Sequence, residues 1–246
     1  MANWNEPQTR RSGFGTSPTF ADGTAARGYD AGLRKHMLSI YNYMASGVLL
    51  TGVVALLMAR SGMAAAMVGS PVMWLVILAP LAIVFAMSFG QGRFSTGTLQ
   101  AMFWGFAVLM GASLSTIFLV YTGQSIATTF FATAAAFAGL SLVGYTTKKD
   151  LSGMGTFLTM GVIGILIAMV INLFVQSTAL QMGISILGVL IFAGLTAYDT
   201  QMLKRQYVVV AGTEFAGKAV IMGALSLYLD FINMFQFLLS FLGSRD

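Results

Sequence analysis

The sequence contains no cysteine, which excludes disulfides, thiol nucleophiles, thiolate metal sites and lipid attachment through cysteine. Histidine is nearly as scarce. His36 is the only one, so neither a histidine metal cluster nor a histidine relay can be assembled. Charge is short as well: 9% of the 246 residues are charged, where a soluble domain carries about 25%. What fills the chain instead is apolar, with 57% hydrophobic residues and a mean hydropathy of +0.81. That composition belongs to a polytopic membrane protein. The formal charge of +5 does not point to nucleic acid, because the basic residues flank hydrophobic runs. Topology and anionic lipid account for them there.

Residues 1–35 are polar, rich in Gly, Ser, Thr and Arg, and without apolar periodicity. They read as a disordered cytoplasmic tail. No apolar core follows the start directly, so a cleavable signal peptide is not expected. Trp4, Phe14 and Phe20 are its candidate partner contacts. Residues 36–246 then read as one seven-helix transmembrane domain. The expected spans are Met37–Ala59, Pro71–Phe89, Leu99–Tyr121, Ile126–Tyr145, Met154–Val175, Leu180–Tyr198 and Ala219–Leu242. Each is near the ~20 residues a helix needs to cross the hydrocarbon core. The fold class is therefore all-α.

With the N-terminus on the cytoplasmic side, eleven of the 13 basic residues fall inside and only Arg60 and Arg245 outside. This is the asymmetry of the positive-inside rule, and it orients the chain. Small residues four apart, Ala135/Gly139 in the fourth span and Gly164/Ala168 in the fifth, are expected to bring helices close. Pro80 lies inside the second span and is expected to kink it.

Of eight acidic residues, six (Glu6, Asp22, Asp30, Asp150, Glu214 and Asp246) fall in tails and loops. The remaining two are Asp199, at the end of the expected sixth span, and Asp230, near the middle of the seventh. An acid at membrane depth is a functional-site hypothesis by default. Ser226, Asp230 and Asn233 follow helical spacing and share one face of the seventh span, with Ser240 two turns further on. If Asp199 and Asp230 meet across the helix interface, they can share a proton and titrate as a coupled pair. The same carboxylates, with Ser226 and Asn233, offer the oxygen ligands that a hard cation such as Ca²⁺ takes. Asp199 is expected at the cytoplasmic mouth, at the negative end of its helix dipole. Arg93, in the loop on the same side, is the first candidate cation, with a side chain long enough to reach the bundle mouth, or else a plain positive-inside arginine.

The residues already singled out also carry a resemblance. GLTAYDTQ (194–201), ALSLYLDFINMF (224–235) and the Lys148-Lys149-Asp150 turn with Leu151 and Ser152 resemble the Bax inhibitor family, its bacterial branch in particular. The resemblance runs from about residue 30 through all seven spans. It implies a bundle with the seventh helix central, wrapped by the other six, in a bacterial inner membrane. It implies a pH-sensitive calcium leak governed by an aspartate pair, at the positions of Asp199 and Asp230 here. Calcium would be the permeant or bound ion, and no other cofactor is implied. An arginine that latches the pair in bacterial relatives would correspond to Arg93. Some relatives carry an acid within the second helix, where this chain has none. The family is linked to cell-death suppression in animals, and some bacterial members to a membrane-bound AAA protease. Regulation of such a protease is the alternative function.

Two other chemistries also use acids buried in membrane spans. Intramembrane aspartyl proteases also place acids on their sixth and seventh spans, but need Gly-x-Gly-Asp where this chain has Leu227-Tyr228-Leu229-Asp230. Catalysis is therefore not expected. Proton-coupled transport, which also uses buried acids, remains a rival to a leak.

Overall fold

A computed structural model of the chain describes residues 19–245, with side chains from Asp30 onward. Trp4, Phe14 and the side chain of Phe20 lie outside the described residues. The elements, in order, are α1 (Thr19–Arg60), α2 (Met63–Met67), α3 (Pro71–Gly90), α4 (Thr96–Leu114), α5 (Gly123–Thr146), α6 (Ser152–Val175), α7 (Thr178–Val210) and α8 (Phe215–Leu242). A 3-10 turn, Ser115–Leu119, prolongs α4. All the helices except the five-residue α2 are long and apolar enough to cross a membrane, which makes seven spans. The fold is all-α and polytopic.

The helix starts are written locally. Ser95, Thr122 and Ser177 each precede a helix and accept a hydrogen bond from the backbone N–H three residues on, which is how small hydroxyl residues cap a helix start. Pro71 opens α3, where its missing N–H costs nothing. Pro80 falls inside α3, which runs through it as one helix.

Two helices outrun the expected spans. α1 begins at Thr19, so the helix takes in the second half of the segment read as a tail. α7 continues to Val210, eleven residues past Asp199, and returns through the short turn Ala211–Glu214. Gly212 takes a left-handed φ of 75° in that turn. The polar residues that ended the expected spans mark where the apolar stretch stops, not where the helix does.

α8 is the most buried span and α6 the least. α8 packs against α1, α4, α5 and α7, while α3 rests on α4 and α6 rests on α7. The seventh span is central, as expected, but four helices surround it and not six. Aromatic rings fill its flanks: Tyr228 meets Phe106 and Phe103 edge-on at 5.0 and 6.3 Å, and Phe231 meets Phe130 and Phe137 at 5.5 and 5.6 Å. Such edge-to-face pairs add to simple burial.

The expected close-packing glycines are displaced. Gly139 and Gly164 have open space where a Cβ would stand. The tight approaches are at Gly144, which faces the backbone of Ala197 in α7, and Gly111, where a Cβ would lie 2.7 Å from the Thr51 carbonyl oxygen of α1. Spacing shows which small residues share a helix face. It does not show whether that face meets protein or lipid.

Candidate functional site

Asp199 on α7 and Asp230 on α8 lie on facing sides of the most extensive helix interface in the molecule. The two helices are antiparallel and their register holds along the contact. Ser226 meets Asp199 near one end, and the Ser185 and Ser240 hydroxyls stand 3.0 Å apart near the other. Between them the ring of Phe237 lies against Gly188. The Asp199 and Asp230 carboxyl groups come within hydrogen-bonding reach of one another.

Asp230 is 4% exposed and Asp199 only partly covered. The Ser226 hydroxyl donates to Asp199 Oδ2. Asp230 Oδ2 finds no donor among its neighbours, although the Asp199 carboxyl is close by. Two ionised carboxylates cannot hydrogen-bond each other, since neither has a proton to give. A single proton on either one supplies the missing donor.

Asp199 is not at a helix end. About 16 Å of helix follows it, at 1.5 Å per residue over Thr200–Val210. A helix dipole acts within the last turn, so Asp199 does not feel the negative end of its helix. Asn233, on the same α8 face, turns its amide N–H back along its own helix, where Nδ2 donates to Leu229 O, one turn back, at 2.8 Å.

Arg93 lies exposed in the turn between α3 and α4, with its backbone N–H donating to Gly90 O. The ion pair found among the described residues is elsewhere, between Arg205 and Asp150 at 2.8 Å. The structure thus does not bring Arg93 onto the aspartates. It does dock the neighbouring backbone on α8, since Lys218 Nζ donates to Gln91 O at 3.3 Å.

Asp150 is held by local donors. The Ser152 backbone N–H, the Ser152 hydroxyl and then Arg205 bring its carboxyl down to about 2. It lies in the turn between α5 and α6, outside the spans. Gln201 ties that turn to α7, accepting from Leu151 N–H at 2.9 Å and donating to Lys149 O at 2.8 Å. Lys204 adds a bond from Nζ to Tyr145 O at 2.8 Å. The KKDLS turn therefore braces the helix that carries Asp199.

Sequence reasoning passed over two residues of the α8 interior, Thr51 and Tyr228. The Tyr228 hydroxyl, fully buried, lies 2.6 Å from Thr51 Oγ1, which donates to Ala107 O of α4 at 2.8 Å. This link joins α8, α1 and α4 two residues from Asp230. The available signal was a hydroxyl on each of two apolar spans, which says nothing of which partner it meets. On the other flank, the Tyr41 hydroxyl of α1 lies 3.4 Å from Thr200 Oγ1, beside Asp199.

The family model for the inhibitor of apoptosis-promoting Bax1 matches residues 33–246, which includes all of this geometry. The chain belongs to the Bax inhibitor family. Among individual members, a Caulobacter vibrioides protein is 47% identical over 229 residues, covering 88% of this chain and 91% of its own. A Rickettsia prowazekii protein is 44% identical over 227 residues, covering 88% and 92%. The inner membrane protein YbhL of Escherichia coli is 43% identical over 219 residues, covering 87% and 94%. Both aspartates of this Bax inhibitor family chain lie within the matched segment.

Proposed function

We propose that this protein is a pH-sensitive calcium leak of a bacterial inner membrane, with the N-terminus cytoplasmic and permeation governed by Asp199 and Asp230. The observation that supports it most is the approach of two carboxyl groups from α7 and α8 within the membrane-spanning core. Two unit charges 4 Å apart repel by about 4 kcal/mol at an effective dielectric near 20. One charge-assisted hydrogen bond, such as that from Ser226, returns about 1.5–3 kcal/mol. The pair therefore favours a shared proton, or a cation between the carboxylates, over two bare charges.

Calcium takes 6–8 oxygen ligands. The pair and Ser226 supply part of that shell, and water must supply the rest. Among the described residues no group of three or more His, Asp or Glu side chains could hold a metal. A partial shell suits an ion in transit better than a resident one, since conduction needs sites that release. The 11-to-2 split of basic residues supports the orientation, and likeness to YbhL supports the inner membrane.

The test is calcium-dye flux in liposomes containing the purified chain and no partner, from pH 5 to 8. Flux that exceeds empty vesicles and varies with pH is expected. Traces indistinguishable from empty vesicles would remove the leak. They would favour the alternative, a regulator of a membrane-bound AAA protease, for which deletion of residues 1–18 should matter and both aspartates should be replaceable. Flux that requires an imposed pH gradient would indicate proton-coupled transport.

A further inference from the structure

The bundle does not close between α1 and α5. A cleft of about 820 Å³ runs between them, with Phe231 of α8 as its floor. One end is marked by Arg34 on α1 and Tyr145 on α5, the other by Leu49 and Phe130. From Arg34 to Leu49 the cleft follows α1 for ~22 Å, at 1.5 Å per residue. Its walls are apolar along most of that length.

We propose that this cleft is a binding site for an anionic phospholipid, with an acyl chain along the groove and the phosphate at Arg34. Three observations carry it. The first is length and width. A lipid tail reaches about half of a ~30 Å hydrocarbon core, or ~15 Å, and fits within the groove. An acyl chain is far slimmer than a helix ~10 Å across and can lie in the groove down to the Phe231 floor.

The second is charge. Arg34 is exposed at the mouth and lines the cleft. Lys35 follows it, and Lys148 and Lys149 come just after Tyr145 on the facing chain, all three exposed. Asp30 is one turn from Arg34, but the two form no ion pair, and Asp150 is engaged by Arg205. A guanidinium presents a planar fork of donors that matches a phosphate, and basic residues beside a span attract anionic lipid.

The third is Ser141. It is 6% exposed and lines the cleft, and its Oγ has no hydrogen-bond partner. It stands one turn along α5 from Tyr145, ~6 Å deeper than the mouth. That is the depth at which the ester carbonyls of a phospholipid lie below a phosphate bound at Arg34. The hydroxyl then has an acceptor.

The test uses the full chain in membranes containing a phosphatidylglycerol with a diazirine in its acyl chain, with adducts mapped by mass spectrometry. Adducts should concentrate on α1 and α5 residues of the cleft. Unlabelled phosphatidylglycerol should compete and phosphatidylcholine should not. Arg34→Gln should lower the yield about fivefold, the loss of roughly one basic contact with an anionic headgroup. Ala138→Phe, at an exposed position inside the cleft, should abolish it. Should that variant misfold, Arg34→Gln, a surface change, still decides the matter. Adducts spread evenly over the lipid-facing sides of α3 and α6 would overturn the proposal, as would equal competition by both lipids or an unchanged yield in Arg34→Gln. Labelling that rises when residues 1–18 are removed would mean that the tail occupies the cleft. Crosslinks between copies would mean that a second chain does. Either result would also overturn it.

Discussion

Tyr228 donates its hydroxyl hydrogen to Thr51, and the direction is fixed. The hydroxyls are 2.6 Å apart, and the Thr51 proton is already committed to the Ala107 carbonyl, which can only accept. The two partners are therefore not equivalent. Tyr228→Phe leaves Thr51 still bonded to α4 and should cost about 1 kcal/mol. Thr51→Val strands the Tyr228 hydroxyl in a sealed interior and should cost more, about 1–3 kcal/mol. Unfolding in mixed micelles measures both, and equal losses would contradict this donor order.

Glycine substitutions should separate protein-facing from open positions. Gly144→Val drives a side chain into the Ala197 backbone of α7, which cannot yield as a flexible side chain would. Overpacking of this kind costs about 1–3 kcal/mol, and α5 and α7 should separate. Gly139→Val points into open space, so its stability should match wild type. Comparable melting curves for the two variants would refute the assignment.

Asp230→Asn keeps shape and deletes charge, and in the liposome assay it should flatten the pH response between pH 5 and 8. Asp150→Asn should leave that response intact. The folded Asp150 carboxyl is held down to about 2, so its contribution to stability is complete above the ordinary aspartate value of ~3.9. It is lost as pH falls toward the folded value. The stability difference between wild type and Asp150→Asn should thus be constant from pH 8 to 5 and shrink below pH 4. A difference that changes near neutrality would refute this.

Calcium and protons should compete at the aspartate pair. Metal ligands must be deprotonated to bind, so acidification should weaken calcium affinity, and by linkage calcium should release the proton. Calcium titrations at several pH values should show this in wild type. Asp199→Asn, which leaves one carboxylate, should lose most of the dependence. A wild-type affinity that does not change with pH would place the calcium site elsewhere.

Much of the fold was legible because the bilayer imposes length. Seven runs of about twenty apolar residues became seven spans. The ends were less legible. α7 crosses Lys204 and Arg205 without breaking, because a helix pairs its own backbone in water as well as in lipid. Two carboxyls in apolar company marked the site, and Ser226 followed from spacing on α8. Asn233 has the same spacing yet bonds within its own helix, because a face wide enough for three polar residues need not turn all of them to one partner. Arg93 was placed by loop and side alone, neither of which measures reach. Thr51 and Tyr228 meet across a sequence separation of 177, and no local pattern encodes that.

The helix at the centre of this bundle is the last of the seven spans to leave the ribosome. α1, α4, α5 and α7 enter the membrane before α8 exists, and each carries a face shaped for it. Until residues 215–242 arrive, Thr51 lacks its donor and Asp199 lacks both Ser226 and the second carboxyl. Assembly of the core therefore waits for α8. Chains halted before α8 should persist as loose sets of spans with unmet polar groups, a form that membrane quality control can recognise.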